Sequence, residues 1–392
     1  MALRISTNWI ISREADLLFL ILSSFGAYFL LALMLASTAP VVIWFLWAAL
    51  LDTPHYFGTY SRAYLDPATR LEHRGRFRVG HALLGLGPAV VLLCWLLHSA
   101  GVERYRQPLL LFAFVFNLWA FWHLVRQHYG IMALYKRKSA DSASADRVVD
   151  QFFLYGGLIS SLVLLAMRHP EARAGLGLAP TPPSYALLLE RGMSASGDLL
   201  ITLIAWGVIF GSALLFVGRQ AHLAVRGREI NGPKVLLLVA VVSSYVCVSA
   251  FEPGHRLPLL LWAGVITIGH NFQYFAFVYF QHRRRYHGCA VPNGRPAEPS
   301  WANRVSTSPA RFVLLAVLLG GSLRLFGAAL GIFPDLPSLI DSARVVLFGE
   351  VALQDLLLTC MLGIAMHHYW LDQFLWRPSR DGALRADLGV SA

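Results

Sequence analysis

Runs of apolar residues recur along the whole chain, each close to the length of a membrane-spanning helix. A helix needs about 20 mainly apolar residues to cross the hydrocarbon core of a bilayer, since each residue advances it by about 1.5 Å. The pattern predicts an all-α protein, a polytopic membrane helix bundle that forms a single transmembrane domain over residues 1–392. The ten predicted spans are 15–36, 40–62, 80–99, 107–134, 148–167, 197–217, 234–251, 257–282, 310–333 and 347–376.

The composition supports this prediction. Of the 392 residues, 56% are hydrophobic and 14% are charged, whereas about 25% are charged in a typical soluble domain. No stretch between the runs is long enough for a separate soluble domain, and the first run is too long for a cleavable signal peptide. The cysteines show no paired spacing, so we expect neither disulfides nor a thiolate metal site. The four are Cys94, Cys247, Cys289 and Cys360.

Arginine and lysine collect in alternate loops between the predicted spans. The termini and the loops on one side hold 24 of these residues, and the opposite loops hold seven. Because basic loops stay on the cytoplasmic side, both termini are predicted to be cytoplasmic. The net charge of +11 then reflects orientation and contact with anionic lipids, so we expect the bilayer as a partner and no nucleic acid. Arginine, alanine and leucine are frequent, as is typical of proteins from GC-rich bacterial genomes. We therefore expect the protein in a bacterial inner membrane.

Histidines on four of the predicted helices lie at a similar depth. Counted along each helix from the nearest cytoplasmic basic residue, they lie about 10–20 Å into the membrane. Polar groups at this depth are costly and usually mark a functional site or a water-filled cavity. These histidines are His55, His123, His128, His270, His367 and His368.

Other polar residues accompany these histidines at helical spacing. Asp52, His55 and Thr59 share one stripe with Arg62, and Asp372 lies one turn after His368. A carboxylate that holds the second nitrogen of a histidine is the usual arrangement around a metal. We therefore predict the six histidines and Asp52 as ligands, and Asp372 as a residue that orients His368 or joins the ligands. The other predicted supporting residues are Gln127, Gln273 and Tyr274.

A structural interpretation competes with the metal site for each residue taken alone. A single histidine within a membrane often forms a hydrogen bond between helices, and Asp52 could be satisfied by Arg62 or by a tyrosine. The recurrence of histidine at one depth on four helices favours a bound metal. Imidazole-rich sites suit iron, copper and zinc.

The pair "HH" at 367–368 resembles part of the histidine boxes of integral membrane oxygenases such as the fatty acid desaturases and hydroxylases. The boxes of those enzymes are spaced HxxxH and HxxHH, whereas this chain has "HLVRQH" at 123–128 and a solitary His55 and His270. The bacterial carotenoid-cleaving membrane oxygenases, also helical and histidine-dependent, are a second group that the chain resembles. The resemblance implies a non-haem iron site, with one or two irons that activate oxygen near the cytoplasmic ends of the helices.

The sequence thus leads to the hypothesis of a membrane enzyme that hydroxylates, desaturates or cleaves a hydrophobic, lipid-like small molecule. The chain carries no nucleotide or flavin motif, so any electrons must come from a separate donor. Two alternatives stay open. His123 and His270 could ligate haem axially in an electron-transfer protein, or the histidines could line the path of a transporter for a metal or a proton-coupled solute.

Overall fold

The structure is a computed structural model that describes residues 4–141, 143–178, 196–287, 301–330 and 345–390, and these are predominantly helical. Its first helices are α1 (Arg13–Ala36), α2 (Pro40–Trp47), α3 (Thr53–Leu65), α4 (Pro67–Glu72), α5 (Arg74–Leu84), α6 (Leu86–Ser99), α7 (Gln107–Lys138) and α8 (Ser144–Arg168). The later helices are α9 (Pro170–Gly175), α10 (Ser196–Val225), α11 (Gly232–Ala250), α12 (Leu259–His287), α13 (Trp301–Val305), α14 (Pro309–Ala329), α15 (Leu353–Leu375) and α16 (Gly382–Leu388).

Helices cover most of each predicted span, and residues 331–333 of the ninth span lie outside the described residues. Within the part of the chain that the structure describes, seven helices are long and apolar enough to cross a membrane. They are α1, α5 with α6, α7, α8, α10, α11 and α14. This agrees with a helical integral membrane protein. The remaining predicted spans, which contain α3, α12 and α15, carry His55, His270 and the pair His367 and His368, and such polar residues lower the mean hydropathy.

The start of the tenth predicted span is wrong. Residues 347–352 form part of an antiparallel pair of short strands, Val346–Phe348 and Val351–Ala352, and α15 begins only at Leu353. The turn between the strands contains Gly349 with a φ of +49°, a conformation that glycine adopts without steric cost. A second short pair joins Ile5–Ser6 to Ile230–Asn231 in parallel.

Contacts divide the chain into two compact units. The first contains Met1–Trp44, Gln127–Gln273 and Gly389–Ser391, and the second contains Phe45–Arg126 and Tyr274–Leu388. The prediction of a single transmembrane domain stays a prediction. Cys94, Cys247 and Cys360 are free thiols, and Cys289 lies outside the described residues.

In the first unit, α10 presents a broad apolar surface. The side chains of Leu200, Leu203, Ile204, Phe210 and Leu214 are all more than half exposed. Soluble monomers rarely expose contiguous apolar patches of this kind. A helix that is apolar on its outer face is stable when that face meets lipid.

A buried ion-pair network joins α7, α8 and α11 in the same unit. The ammonium of Lys234 lies 2.8 Å from Asp141 and 2.9 Å from Asp150, and the ammonium of Lys136 lies 3.1 Å and 2.8 Å from the same two carboxylates. Burial raises the pKa of Asp141, but the charges and hydrogen bonds of Lys234 and Lys136 outweigh it and leave that pKa lowered. The ionised carboxylate of Asp141 therefore contributes to the stability of the unit.

We expect Asp141→Asn to lower the free energy of unfolding by about 1–3 kcal/mol at neutral pH, because two lysines lose a charged partner. The pKa of Asp141 is lower in the folded protein than in the unfolded chain. This stabilisation is therefore present above the ordinary aspartate pKa of about 3.9, and it is lost as the pH falls through the pKa of the folded state. Detergent-induced unfolding, followed across pH, measures the difference between wild type and variant. The exposed Glu229 of the same unit supplies the control, Glu229→Gln. Equal losses in both variants would contradict the prediction.

In the second unit, α15 packs along α3, α5 and α6, and α14 packs on α3. Gly320 of α14 makes this second approach possible, because a Cβ there would lie 2.6 Å from Cα of Pro54. A π-helical turn at Ala48–Asp52 joins α2 to α3 directly before Pro54. Both features place one end of α3 firmly against its neighbours.

Candidate metal centre

Parts of three helices that belong to the second unit bring three histidines and one carboxylate together. α3 contributes His55, α7 contributes His123, and α15 contributes His368 and Asp372 one turn apart on the same face. Nε2 of His55 lies 3.1 Å from Nε2 of His368. The possible ligand atoms of His123, His368 and Asp372 all lie within 4.8 Å of one another. All three histidines are buried.

The carboxylate of Asp372 has two differently placed oxygens. Oδ1 accepts hydrogen bonds from the hydroxyls of Thr59 and Tyr274, each at 2.7 Å, and from Nε1 of Trp376 at 3.1 Å. Oδ2 is buried and accepts no hydrogen bond from the residues that the structure describes. Instead, Nε2 of His123 and Nε2 of His368 each lie 3.7 Å from Oδ2. The carboxylate is thus held by one oxygen, and the other is directed toward two imidazoles.

The hydroxyl of Thr59 lies among three polar partners. It donates to Oδ1 of Asp372 at 2.7 Å, and its oxygen lies 2.6 Å from Nδ1 of His368 and 2.5 Å from the hydroxyl of Tyr274. When Nδ1 of His368 carries the proton of the neutral imidazole and donates it to Thr59, Nε2 has a lone pair that could bind a metal. A second nitrogen that is held in this way is usual around metal sites.

Aromatic rings fix the orientation of the imidazoles. Tyr56 stacks on His368 with ring centroids 4.7 Å apart, and Tyr369 stacks on His123 at 4.5 Å. Both tyrosines belong to a buried cluster with Ala365. The rings shield the imidazoles from water and limit their rotation, so the nitrogens stay directed at one another.

Gly58 allows Tyr274 to reach this centre. A Cβ at position 58 would lie 2.7 Å from the ring of Tyr274, which is closer than any ordinary contact. Because Tyr274 donates to Asp372, the absence of a side chain at Gly58 helps to hold the carboxylate. The supporting role that the sequence predicts for Tyr274 stays a prediction.

His367, although adjacent to His368, contacts a different set of residues. Its Nε2 lies 3.1 Å from the hydroxyl of Tyr64, and its Nδ1 lies 3.3 Å from the hydroxyl of Tyr60. The hydroxyl of Tyr64 also lies 2.8 Å from Nε2 of His81. Neighbouring residues of a helix point about 100° apart, so α15 directs its two histidines to two separate clusters. The ligand role predicted for His367 stays a prediction.

Asp52 forms an ion pair with a residue that the sequence did not indicate as its partner. Its Oδ2 lies 2.8 Å from Nη2 of Arg324 on α14, while Arg62 pairs with Asp381 instead. Asp52 closes the π-helical turn before α3, and a turn with i→i+5 hydrogen bonds changes the register of the side chains around a helix. Of the stripe predicted over Asp52, His55, Thr59 and Arg62, the structure therefore keeps His55 and Thr59 together, while Asp52 pairs with Arg324. The ligand role predicted for Asp52 stays a prediction.

Four further predicted residues belong to the first unit. Nε2 of His128 lies 3.4 Å from the hydroxyl of Tyr245. Gln127 donates to the carbonyl of His270 and to the side chain of Gln273, which in turn donates to the carbonyl of Leu20. The glutamines thus bridge helices within this unit. The ligand role of His128 and His270, and the supporting role of the glutamines, stay predictions.

The sequence did not point to some residues of the centre. Trp376 holds both Asp372 and Tyr274 by hydrogen bonds, although tryptophan in this chain is expected to mark the membrane interface. Its position, four residues after Asp372 and eight after His368, was the available signal. Tyr56 and Tyr369 adjoin His55 and His368 in sequence, but aromatic neighbours are too frequent here to stand out.

Comparison with protein families, with curated proteins and with solved structures finds no match to this chain.

Proposed function

We propose that this protein is a membrane enzyme with a non-haem iron centre held by His123, His368 and Asp372, with His55 as a fourth donor. The observation that carries the proposal is Oδ2 of Asp372, a buried oxygen without a hydrogen bond from the described residues that faces two imidazole nitrogens. A buried acceptor left in this state costs free energy unless a further partner occupies the site. A cation bound to both imidazoles would be that partner.

The separation of two of the donors fits a single ion of the first transition row. Nitrogen ligands bind such an ion at about 2.1 Å, so two of them about 90° apart are separated by about 3.0 Å. The observed separation between His55 and His368 is 3.1 Å. Two histidines and one carboxylate, with further positions open, form the ligand set of non-haem Fe(II) oxygenases. When bound, iron would supply the capacity to activate oxygen.

Other residues of the chain would hold the ligands of the ion in place and keep water away from them. Thr59, Tyr274 and Trp376 hold one oxygen of Asp372 and leave the other for the ion. The hydroxyl of Thr59 also contacts Nδ1 of His368, which leaves Nε2 of that imidazole for the ion. Tyr56 and Tyr369 exclude water from the faces of the imidazoles, which restricts side reactions of a reactive centre.

A site buried among membrane helices is reached most readily from lipid, so the proposed substrate is hydrophobic. The proposed reaction is an oxygen-dependent hydroxylation, desaturation or cleavage, with electrons from a separate donor where the reaction needs them. The alternation of basic loops supports ten spans with both termini in the cytoplasm of a bacterial inner membrane. This orientation places the centre toward the cytoplasmic leaflet.

Metal analysis of the purified wild-type protein tests the proposal. We expect about one iron per chain after anaerobic loading with Fe(II), no haem absorption, and oxygen consumption that depends on an added lipid-like substrate. Two irons per chain would require ligands beyond these four. A haem spectrum would refute the non-haem enzyme and favour the electron-transfer alternative, and the absence of any bound metal would favour the transporter. A preference for zinc without oxygen chemistry would refute the oxygenase.

A further inference from the structure

A polar cavity of about 460 Å³ lies beside the end of α15 in the second unit. His73, Gly75 and Arg76, from the start of α5, line one side. Phe374 and Arg380, from the end of α15 and the segment after it, line another. The volume is in the range of sites that bind small molecules or their head groups.

The two arginines give the cavity a positive character. One of its two carboxylates has a cationic partner, since Asp381 lies 2.7 Å from Arg62. The other, Glu72, is exposed and lies 3.9 Å from His73, whose pKa is lowered by burial. Among the described residues, neither Arg76 nor Arg380 has a carboxylate within ion-pair distance. Arg76 instead lies over the ring of Phe374, with its guanidinium carbon 5.2 Å from the ring centre. Two guanidinium groups thus remain available to an anion.

The neighbouring segments strengthen this character. The N-terminus of α5 faces the cavity through Gly75, and no side chain of the described residues caps that end of the helix. A helix N-terminus carries a partial positive charge and backbone N–H groups that bind anions. Burial and the positive charges of Arg380 and Arg76 lower the pKa of the nearby Arg377, as expected where cations accumulate.

The cavity is connected to the candidate metal centre by direct contacts. Asp381 binds Arg62, the guanidinium of Arg62 lies 4.4 Å from the ring centre of Trp376, and Trp376 donates to Asp372. Phe374, which lines the cavity, follows Asp372 by two residues, or about 3 Å along the helix axis. Residues two positions apart on a helix point in nearly opposite directions, so Phe374 and Asp372 lie on different faces of α15, and the side chains of Arg62 and Trp376 pack between the cavity and the centre.

We propose that Arg76, Arg380 and the N-terminus of α5 bind the phosphate head group of an anionic lipid in this cavity. The proposal rests on the cavity and does not depend on the proposed function. Two arginines and a helix N-terminus match the charge of a phosphate monoester, and guanidinium groups bind phosphate in a bidentate manner. A lipid phosphate and free inorganic phosphate share this chemistry.

Calorimetric titration of the metal-free protein in a neutral detergent separates these two sources. The probes are dioctanoyl phosphatidic acid, inorganic phosphate and dioctanoylglycerol, which has the same chains without the phosphate. We expect phosphatidic acid to bind most tightly, and Arg76→Gln and Arg380→Gln each to weaken it by about 10–100-fold. Arg70→Gln, at an exposed arginine of α4 outside the cavity, is the matched control and should leave the affinity unchanged.

Three results would overturn the proposal. Equal affinity for dioctanoylglycerol would mean that the phosphate is not recognised, and equal loss in Arg70→Gln would mean a general effect of surface charge. Inorganic phosphate that binds as tightly as phosphatidic acid would identify a site for the free ion instead of a head group. Iron content, measured in the same variants, separates this test from that of the proposed function. Arginine variants that bind phosphatidic acid weakly but keep their iron would support the phosphate site. A wild-type protein that binds phosphatidic acid but no metal would refute the proposed iron enzyme and leave the phosphate site standing.

Discussion

Alanine in place of His368 is expected to lower metal affinity by more than about 100-fold and to leave the protein folded. His368 contributes one of the proposed ligand atoms, and its ring lies at the centre of the contacts with His55, His123 and Asp372. Loss of a residue that only supports a ligand costs about 10–100-fold in affinity or activity, so loss of the ligand itself should exceed that range. The fold should survive because membrane helices associate mainly through packing along their length. Competition with a chromogenic chelator measures the affinity.

His282→Ala is the matched control for this variant. His282 is as deeply buried in the same unit, but its nitrogens lie 3.0 Å from the hydroxyl of Ser61 and 2.9 Å from the side-chain oxygen of Gln281. We expect it to keep full metal affinity. The metal affinity of Thr59→Val should lie between those of the other two variants, about 10–100-fold below that of the wild type. This substitution removes the hydroxyl that contacts both His368 and Asp372. Similar affinities for His368→Ala and His282→Ala would show that the cluster is not the metal site.

The second large effect concerns stability. Asp381→Asn is expected to lower the free energy of unfolding by about 3–5 kcal/mol, because it leaves the guanidinium of Arg62 buried without its carboxylate. The side chain of Arg62 is only 1% exposed and lies 2.7 Å from Oδ2 of Asp381. Its Nε and Nη1 have no hydrogen-bond partner among the described residues, so this carboxylate is the main compensation for the buried charge. Unfolding by a denaturing detergent, followed by circular dichroism, gives the difference.

An exposed ion pair of the same length provides the control. Nη1 of Arg106 lies 2.7 Å from Oε2 of Glu350, but these side chains are 40% and 71% exposed. Exposed pairs contribute at most about 1 kcal/mol, since water solvates both charges well when the pair is broken. Glu350→Gln should therefore change stability by less than that amount. A loss in Asp381→Asn no greater than in Glu350→Gln would mean that burial does not decide the strength of this pair.

The supporting residues of the candidate centre were only partly predictable. The spacing of four residues places His368 beside Asp372 and His55 beside Thr59 on any regular helix, and the structure has both pairs. The partner of Asp52 was not predictable, because a π-helical turn changes the register there and Arg324 comes from a distant helix. Likewise, residues 346–352 form a strand pair before α15, and Gly349 provides the tight turn between the strands.

The sequence alone determined the helical, membrane-type character of this protein, the positions of most helices and the local pairs within each helix. These properties follow from hydrophobic content and from a period of 3.6 residues, both of which are local. Only the tertiary structure decided that His55, His123 and His368 meet, while His367 turns to Tyr64 and His81. Depth along a helix can be counted from the sequence, but the neighbours of a helix and its rotation about its own axis depend on packing along its whole length. For that reason six histidines at one predicted depth were visible in the sequence, and the subset that shares a carboxylate was not.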